Sequence, residues 1–257
     1  MIKTHISGFK IAFSMLTVMP FFRLYEFKEG ANGVAAAYYP MVGLFLGALI
    51  CAIYAPLHGV LPENFLRVCL FALFVALYGA LHLDGFVDTI DGLFAPPHRA
   101  LDVMKEPTIG AMGAIYGFLF LSLKLAAFLT LADFALFLLV PMLSRFGGTL
   151  AIYGFSYVRP SGMGYMAKKE LTTPLFIYSA ALVCAVIALI NPLFFVFLAV
   201  AILASIGVSK YLVKRFGGLS GDMYGFVIEV VEFALLIAII FTTTQKISYI
   251  GIQTVLM

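Results

Sequence analysis

Apolar residues in this chain run in stretches too long for strands and too unbroken for surface helices. Seven segments, at 34–55, 65–83, 112–131, 134–155, 174–190, 193–211 and 223–241, approach or reach the length of a membrane-crossing helix. The shortest is marginal. A bilayer core leaves no open backbone group satisfied, so such spans are helical. Pro40, Pro141 and Pro174 are tolerable in them as kinks or first-turn residues. The pattern predicts an all-α fold, a polytopic integral membrane bundle of about seven spanning helices.

The first twenty residues follow another pattern. Lys3, Ser7, Lys10, Ser14 and Thr17 fall on one narrow polar stripe at helical spacing, and the remaining surface is largely apolar. This predicts an amphipathic helix over 1–20, lying in the interface or packed on the bundle rather than spanning. Lys10 and Ser14 interrupt the apolar region and no small-residue cleavage site follows, which argues against a signal peptide.

Composition supports the membrane reading. The chain is 63% hydrophobic and 11% charged, against roughly a quarter charged in soluble domains. Its mean hydropathy is +1.07. Spans consume most of the length, so residues 1–257 read as a single integral membrane domain, with the bundle over 34–241 embedded in the lipid bilayer. Cys51, Cys69 and Cys184 lie in apolar segments without metal or disulfide spacing. No dense basic patch exists, which excludes nucleic acid as a partner.

Charge alternates between the loops. Arg23 and Lys28, then Arg99 and Lys105, then Arg159, Lys168 and Lys169, then Lys210, Lys214 and Arg215 mark four basic connections. The turns at 56–64, 132–133 and 191–192 contain neither Lys nor Arg. The positive-inside rule places the basic loops in the cytoplasm and the C-terminus outside. Arg67 and Lys246 depart mildly from the pattern. Inside the spans lie Lys124, Arg145, Glu229 and Glu232. A charge at the bilayer centre costs about 2.5–3.5 kcal/mol on insertion scales. The two cations are expected to pair with the two glutamates, as structural pairs or as an extension of a substrate site.

The densest chemistry lies in His82-Leu83-Asp84-Gly85-Phe86-Val87-Asp88-Thr89-Ile90-Asp91-Gly92. Asp84, Asp88 and Asp91 follow i, i+4, i+7 spacing and share about 60° of one helix face. Like charges so placed repel, and a bound cation relieves them. Oxygen-only ligands favour a hard ion, Mg²⁺ or Mn²⁺, over zinc. The alternatives are a solvated acidic helix end and the cation or proton path of a transporter. His82 either contacts a phosphate or bonds a neighbour at the interface.

Three further segments fall on the same cytoplasmic side. Lys105 suits phosphate as a point charge, and Gly110 and Gly113 sit where the helix over 112–131 begins, a position whose free N–H groups bind anions. The bland alternative is an ordinary turn. Arg159-Pro160-Ser161-Gly162-Met163-Gly164 offers a guanidinium suited to phosphate. Gly217-Gly218-Leu219-Ser220-Gly221-Asp222, just after Lys214 and Arg215, supplies backbone N–H groups, a hydroxyl and a carboxylate at a helix start.

Taken in order, these motifs resemble the cobalamin synthase (adenosylcobinamide-GDP ribazoletransferase) family. The resemblance also takes in Leu16-Thr17-Val18-Met19-Pro20, Tyr39-Pro40-Met41-Val42-Gly43, Met104-Lys105 to Gly113 and Ser144-Arg145, and so covers nearly the whole chain. Val87 and Ile90 stand where the family more often has alanine, and Ser220 where threonine is common. Glu106-Pro107-Thr108 replaces a more usual Asp-Ser-Arg, which removes one basic side chain from that loop. The acidic motif is also similar in logic to that of the CDP-alcohol phosphotransferases.

The resemblance implies a Mg²⁺-dependent transferase of late cobalamin biosynthesis in a bacterial or archaeal cytoplasmic (inner) membrane. It would join adenosylcobinamide-GDP to α-ribazole or its 5′-phosphate and release GMP. The expected metal ligands are Asp84, Asp88 and Asp91, with Asp222 as a further one. Asp88, Asp91 and Lys105 are the expected catalytic residues, with Asp91 taking the proton of the ribose hydroxyl. His82, Arg145, Arg159, Arg215, Gly218, Ser220 and Gly221 are the expected substrate-binding residues. A homo-oligomer is left open. The competing class is a transporter with the aspartates as its cation site, although no paired broken helices of the kind found in inverted-repeat carriers are evident. A non-catalytic scaffold leaves the one-sided motif cluster unexplained.

Overall fold

A computed structural model describes residues 2–20 and 29–255, with side chains over 3–20 and 29–243. Arg23, Lys28 and the side chain of Lys246 lie outside the described residues. The helices are α1 (Ile2–Leu16), α2 (Ala31–Leu57), α3 (Glu63–Leu77), α4 (Leu81–Phe94), α5 (Ala100–Val103), α6 (Ala111–Leu129), α7 (Leu139–Gly154), α8 (Met163–Glu170), α9 (Thr173–Ile190), α10 (Phe195–Phe216) and α11 (Gly221–Val255). Short 3₁₀ turns, Phe134–Leu138 and Pro192–Phe194, lead into α7 and α10. The described residues form no named strand.

Six helical units are long and apolar enough to cross a membrane: Ala31–Leu57, Ala111–Leu129, Phe134–Gly154, Thr173–Ile190, Pro192–Phe216 and Gly221–Thr243. A seventh exists only as the pair α3 and α4, bent by 80°. The apolar run at 65–83 predicts one straight helix there, and the structure corrects that expectation. The break comes from Gly79 (φ 64°) and Ala80 (φ 52°), both left-handed. Glycine adopts this conformation freely, whereas alanine pays about 1 kcal/mol or more. The Ala80 N–H donates to the Val75 carbonyl at 3.2 Å, closing the end of α3. The Val18 N–H, just beyond α1, donates to the Leu77 carbonyl at 2.9 Å. The break swings the aspartate-bearing α4 against α11 and α6.

The axis of the bundle is α7. Of its apolar window 78% is buried, against 17% for α9. It packs against α2, α9, α10 and α11. Gly43 and Gly47 of α2, four residues apart, allow the closest of these approaches. A Cβ on Gly43 would overlap the Pro141 carbonyl, and one on Gly47 would lie 2.7 Å from the Leu138 oxygen. Small residues at this spacing let membrane helices meet backbone to backbone. Along α2 also runs α1, burying Ile11, Ala12, Phe13 and Leu16. Packing on the bundle is therefore the arrangement adopted, of the two expected for α1.

The charges within the spans pair as expected. Lys124 Nζ lies 2.5 Å from Glu229 and 2.7 Å from Glu232, and Arg145 Nη1 lies 2.5 Å from Glu232. The Tyr78 hydroxyl donates to Glu229 at 3.0 Å, and the Ser144 hydroxyl donates to Glu232 at 3.1 Å. Two cations and two anions make a neutral cluster beside the helix break, so none is buried without a partner.

The two ends of the bundle differ. At one end Arg159 donates to the Leu101 carbonyl (2.9 Å) and Arg215 to the Ala95 carbonyl (2.9 Å). The Val158 N–H there donates to the Leu219 carbonyl (2.9 Å). Three of the four basic connections thus meet. At the other end Arg67 pairs with Glu63 and donates to the Leu129 and Leu131 carbonyls at the close of α6. This departure from the loop-charge pattern is a helix cap.

Candidate functional site

Glycines build the site by removing side chains between helices. A Cβ on Gly85 would stand 2.5 Å from the Asp222 carbonyl oxygen, and one on Gly225 would stand 3.0 Å from the His82 oxygen. Phe86 seals the contact, stacking on Phe226 of α11 (4.8 Å) and on Phe120 of α6 (4.1 Å). The first turn of α11 therefore faces α4, and Asp222 joins the aspartates. Asp88 sits in the negative field of Asp84, Asp222 and Asp91, with Arg159 as the opposing charge. Arg159 Nη1 lies 3.6 Å from Asp222, which also accepts from the Ser220 hydroxyl at 3.3 Å.

Asp91 stands apart from the other carboxylates in its bonding. Its two oxygens accept from the Gly110 N–H (2.8 Å) and the Gly113 N–H (2.7 Å). The start of α6, expected as a phosphate site, holds this carboxylate as its anion. Helix N-termini stabilise negative charge, and a side chain satisfies that preference as well as a ligand does.

Beside the aspartates opens a cavity of about 510 Å³. Asp84, Asp222, Arg159, Tyr157 and the Ser161–Gly164 turn form its polar wall, and Met15, Leu16, Tyr39, Ile152, Ala167 and Ile228 its apolar one. His82, Gly221 and Gly225 complete the lining. Loops pairing through Tyr157 and Leu219 hold the polar wall. Burial pushes the Tyr157 phenol above its usual pKa. Tyr157, Tyr39 and the α1 residues were not among the expected site residues, although Leu16 and Tyr39 lie in stretches that carry the family resemblance.

The expected site residues divide into groups. Asp84, Asp222, His82, Arg159 and Gly221 line the cavity, and Ser220 bonds Asp222 from behind. Gly218 does not line it; a side chain there would press on the Ser156–Val158 backbone. Arg145 is completely buried in its pair with Glu232. Arg215 holds the C-terminal carbonyls of α4, and Lys105 is exposed on the turn after α5. His82 is 3% exposed, stacks on Tyr78, and has no hydrogen-bond partner at either ring nitrogen.

The donor set suits a hard cation in one particular way. Among the described residues no three acidic, histidine or cysteine side chains converge on one ion position. Mg²⁺ is commonly held by one or two carboxylates, with substrate phosphates and water completing the shell. Asp84 and Asp222 on the cavity wall, with Asp88 beside them, fit that mode.

The fold and site together define an integral membrane protein with an acidic cluster and an arginine at one end of a helical bundle. A family model described as cobalamin-5-phosphate synthase matches residues 8–240, and the chain belongs to this family. A relative named adenosylcobinamide-GDP ribazoletransferase from Desulforamulus reducens is 33% identical over 88% of this chain and 93% of its own. One of the same name from Stutzerimonas stutzeri is 34% identical, covering 89% and 96%. Another from Synechococcus elongatus is 36% identical, covering 80% and 85%. No solved structure matches the chain.

Proposed function

We propose that this chain is a Mg²⁺-dependent membrane transferase that joins adenosylcobinamide-GDP to α-ribazole or its 5′-phosphate, yielding adenosylcobalamin or its 5′-phosphate and GMP. The observation that carries the reading is the convergence of Asp84, Asp222 and Arg159 at one cavity, with Asp88 in their field, in a chain of this family. A ribose hydroxyl oxygen forms the new bond to the cobinamide-bearing phosphorus. The phosphoanhydride breaks and GMP leaves with its electron pair.

Such transfers need positioning and charge neutralisation more than covalent help. Mg²⁺ held by Asp84, Asp88 and Asp222 would supply neutralisation of the diphosphate. Arg159 offsets charge from the facing wall. The hydroxyl proton goes to a carboxylate of this cluster. Asp91, with both oxygens bonded to backbone N–H groups, fixes α6 on α4 and is not the base. Lys105 and Arg145 take no direct part. The site end faces the cytoplasm, since the basic loops gather there.

Full-length protein purified in detergent should release GMP only with both substrates and Mg²⁺, and chelation should abolish release. Cation flux in proteoliposomes without any GMP release would instead establish the transporter. Activity in inside-out but not right-side-out vesicles checks the sidedness.

A further inference from the structure

Three contacts join α11 to the chain around the helix break, in antiparallel register. A Cβ on Gly85 would stand 2.5 Å from the Asp222 oxygen, and one on Gly225 would stand 3.0 Å from the His82 oxygen. The Tyr78 hydroxyl donates to Glu229 at 3.0 Å. Asp222, Gly225 and Glu229 share one face of α11, and they meet Gly85, His82 and Tyr78 in reverse order. The contacts at Gly85 and Gly225 let the backbones approach closely, as small residues do in membrane bundles. They carry no directional bond and do not resist a slide or a roll. The contact at Tyr78 is directional, and its acceptor is itself fixed by Lys124 of α6.

Packing alone does not require the Tyr78 hydroxyl. Phe74, one turn earlier, lies against the same two cations. Lys124 Nζ is 5.9 Å from the Phe74 ring centre and 5.7 Å from that of Tyr78. The Arg145 guanidinium carbon is 5.6 and 5.5 Å from the same two centres. Nor does Glu229 need the phenol for charge balance, since Lys124 pairs with it. Burying a hydroxyl is unfavourable unless it is bonded, so the bond to Glu229 is what the phenol adds. Its place gives that bond leverage. Tyr78 directly precedes Gly79 and Ala80, whose left-handed turn aims α4. Glycine adopts many conformations, so the turn does not fix its own angle. The far end of α4 is held where Asp91 accepts from Gly110 and Gly113 of α6.

We propose that Tyr78 is a positioning residue for the metal-binding carboxylates: its bond to Glu229 sets the register of α4 against α11, and with it the placement of Asp84 opposite Asp222. It touches no substrate and acts through the two helices. The inference rests on the transferase reading above and takes Mg²⁺ as the ion those carboxylates hold.

The test compares Tyr78→Phe with Ser144→Ala in full-length enzyme purified in detergent. Each removes one buried hydroxyl from the same ion cluster, Tyr78 from Glu229 and Ser144 from Glu232. Only Tyr78 stands at the break. Amide hydrogen exchange across residues 79–84 is read by mass spectrometry without metal or substrate. It should quicken about tenfold in Tyr78→Phe, the scale of one buried hydrogen bond, and stay within about twofold in Ser144→Ala. In GMP release, Tyr78→Phe should raise the Mg²⁺ concentration for half-maximal activity about tenfold and lower kcat about tenfold, with KM for the acceptor within about twofold. Ser144→Ala should leave all three within about twofold. Unchanged exchange or an unchanged Mg²⁺ requirement in Tyr78→Phe overturns the proposal. An equal rise in that requirement with Ser144→Ala also overturns it, because stability alone would then explain both. Absence of GMP release from wild type would refute the transferase reading instead, and the exchange comparison would still decide whether Tyr78 holds α4.

Discussion

Gly85 lies directly on the backbone of Asp222, so close that a Cβ at position 85 would come within 2.5 Å of the Asp222 carbonyl oxygen. This contact brings a carboxylate from the last spanning helix to the motif on α4. Gly85→Ala should push the helices apart and cost about 1–3 kcal/mol through overpacking. GMP release should fall further than this loss of stability explains, because Asp222 leaves the cluster. Activity and thermal unfolding in detergent, measured on the same preparation, check this.

Asp91 and Asp84 should fail differently when neutralised. Asp91→Asn replaces an acceptor that serves Gly110 and Gly113 by an amide with only one oxygen. It should lower stability by about 1–3 kcal/mol, the cost of a stranded buried donor. Asp84→Asn removes a cavity carboxylate with no such bonds to backbone. It should leave the unfolding temperature nearly unchanged and raise the Mg²⁺ concentration needed for half-maximal activity. Mg²⁺ titrations alongside melting curves separate the two.

Arg159 faces Asp222 across 3.6 Å at the cavity wall. Arg159→Ala should reduce kcat about 10²-fold, the scale of one lost donor to transferring charge. Arg159→Lys should recover only part, since an ammonium cannot reach both the Leu101 carbonyl and the cavity in the way a guanidinium does. Steady-state GMP release gives both numbers.

The buried cluster makes a stability prediction. Glu229→Gln removes one of the two carboxylates paired with Lys124 and should cost about 3–5 kcal/mol. The double variant Lys124→Met, Glu229→Met leaves Arg145 paired with Glu232 and should recover most of the loss. Unfolding midpoints of Lys124→Met, Glu229→Met and the double variant measure the coupling.

Much of this was legible in the chain. Apolar run lengths set the spans, and the 3, 7, 10, 14, 17 stripe marked α1 as the non-spanning helix. Lys124, Arg145, Glu229 and Glu232 could be matched because buried charge has few ways to be tolerated. What the sequence did not show was a residue's partner far along the chain. Arg215, expected at a phosphate, donates to the end of α4, 120 residues away. Gly110 and Gly113 looked like an anion site and were already filled by Asp91.

By itself the sequence determined the helical class, the unequal ends of the bundle and the identity of the acidic motif, because hydropathy, loop charge and i, i+4 spacing are local properties. Tertiary structure decided which of those aspartates share a cavity. That depended on the left-handed turn at Gly79 and Ala80, on the missing side chains at Gly85 and Gly225, and on the walls supplied by α1 and α8. Each is a contact between segments distant along the chain. No local pattern encodes such contacts, because the backbone distance of closest approach is set only when two helices pack.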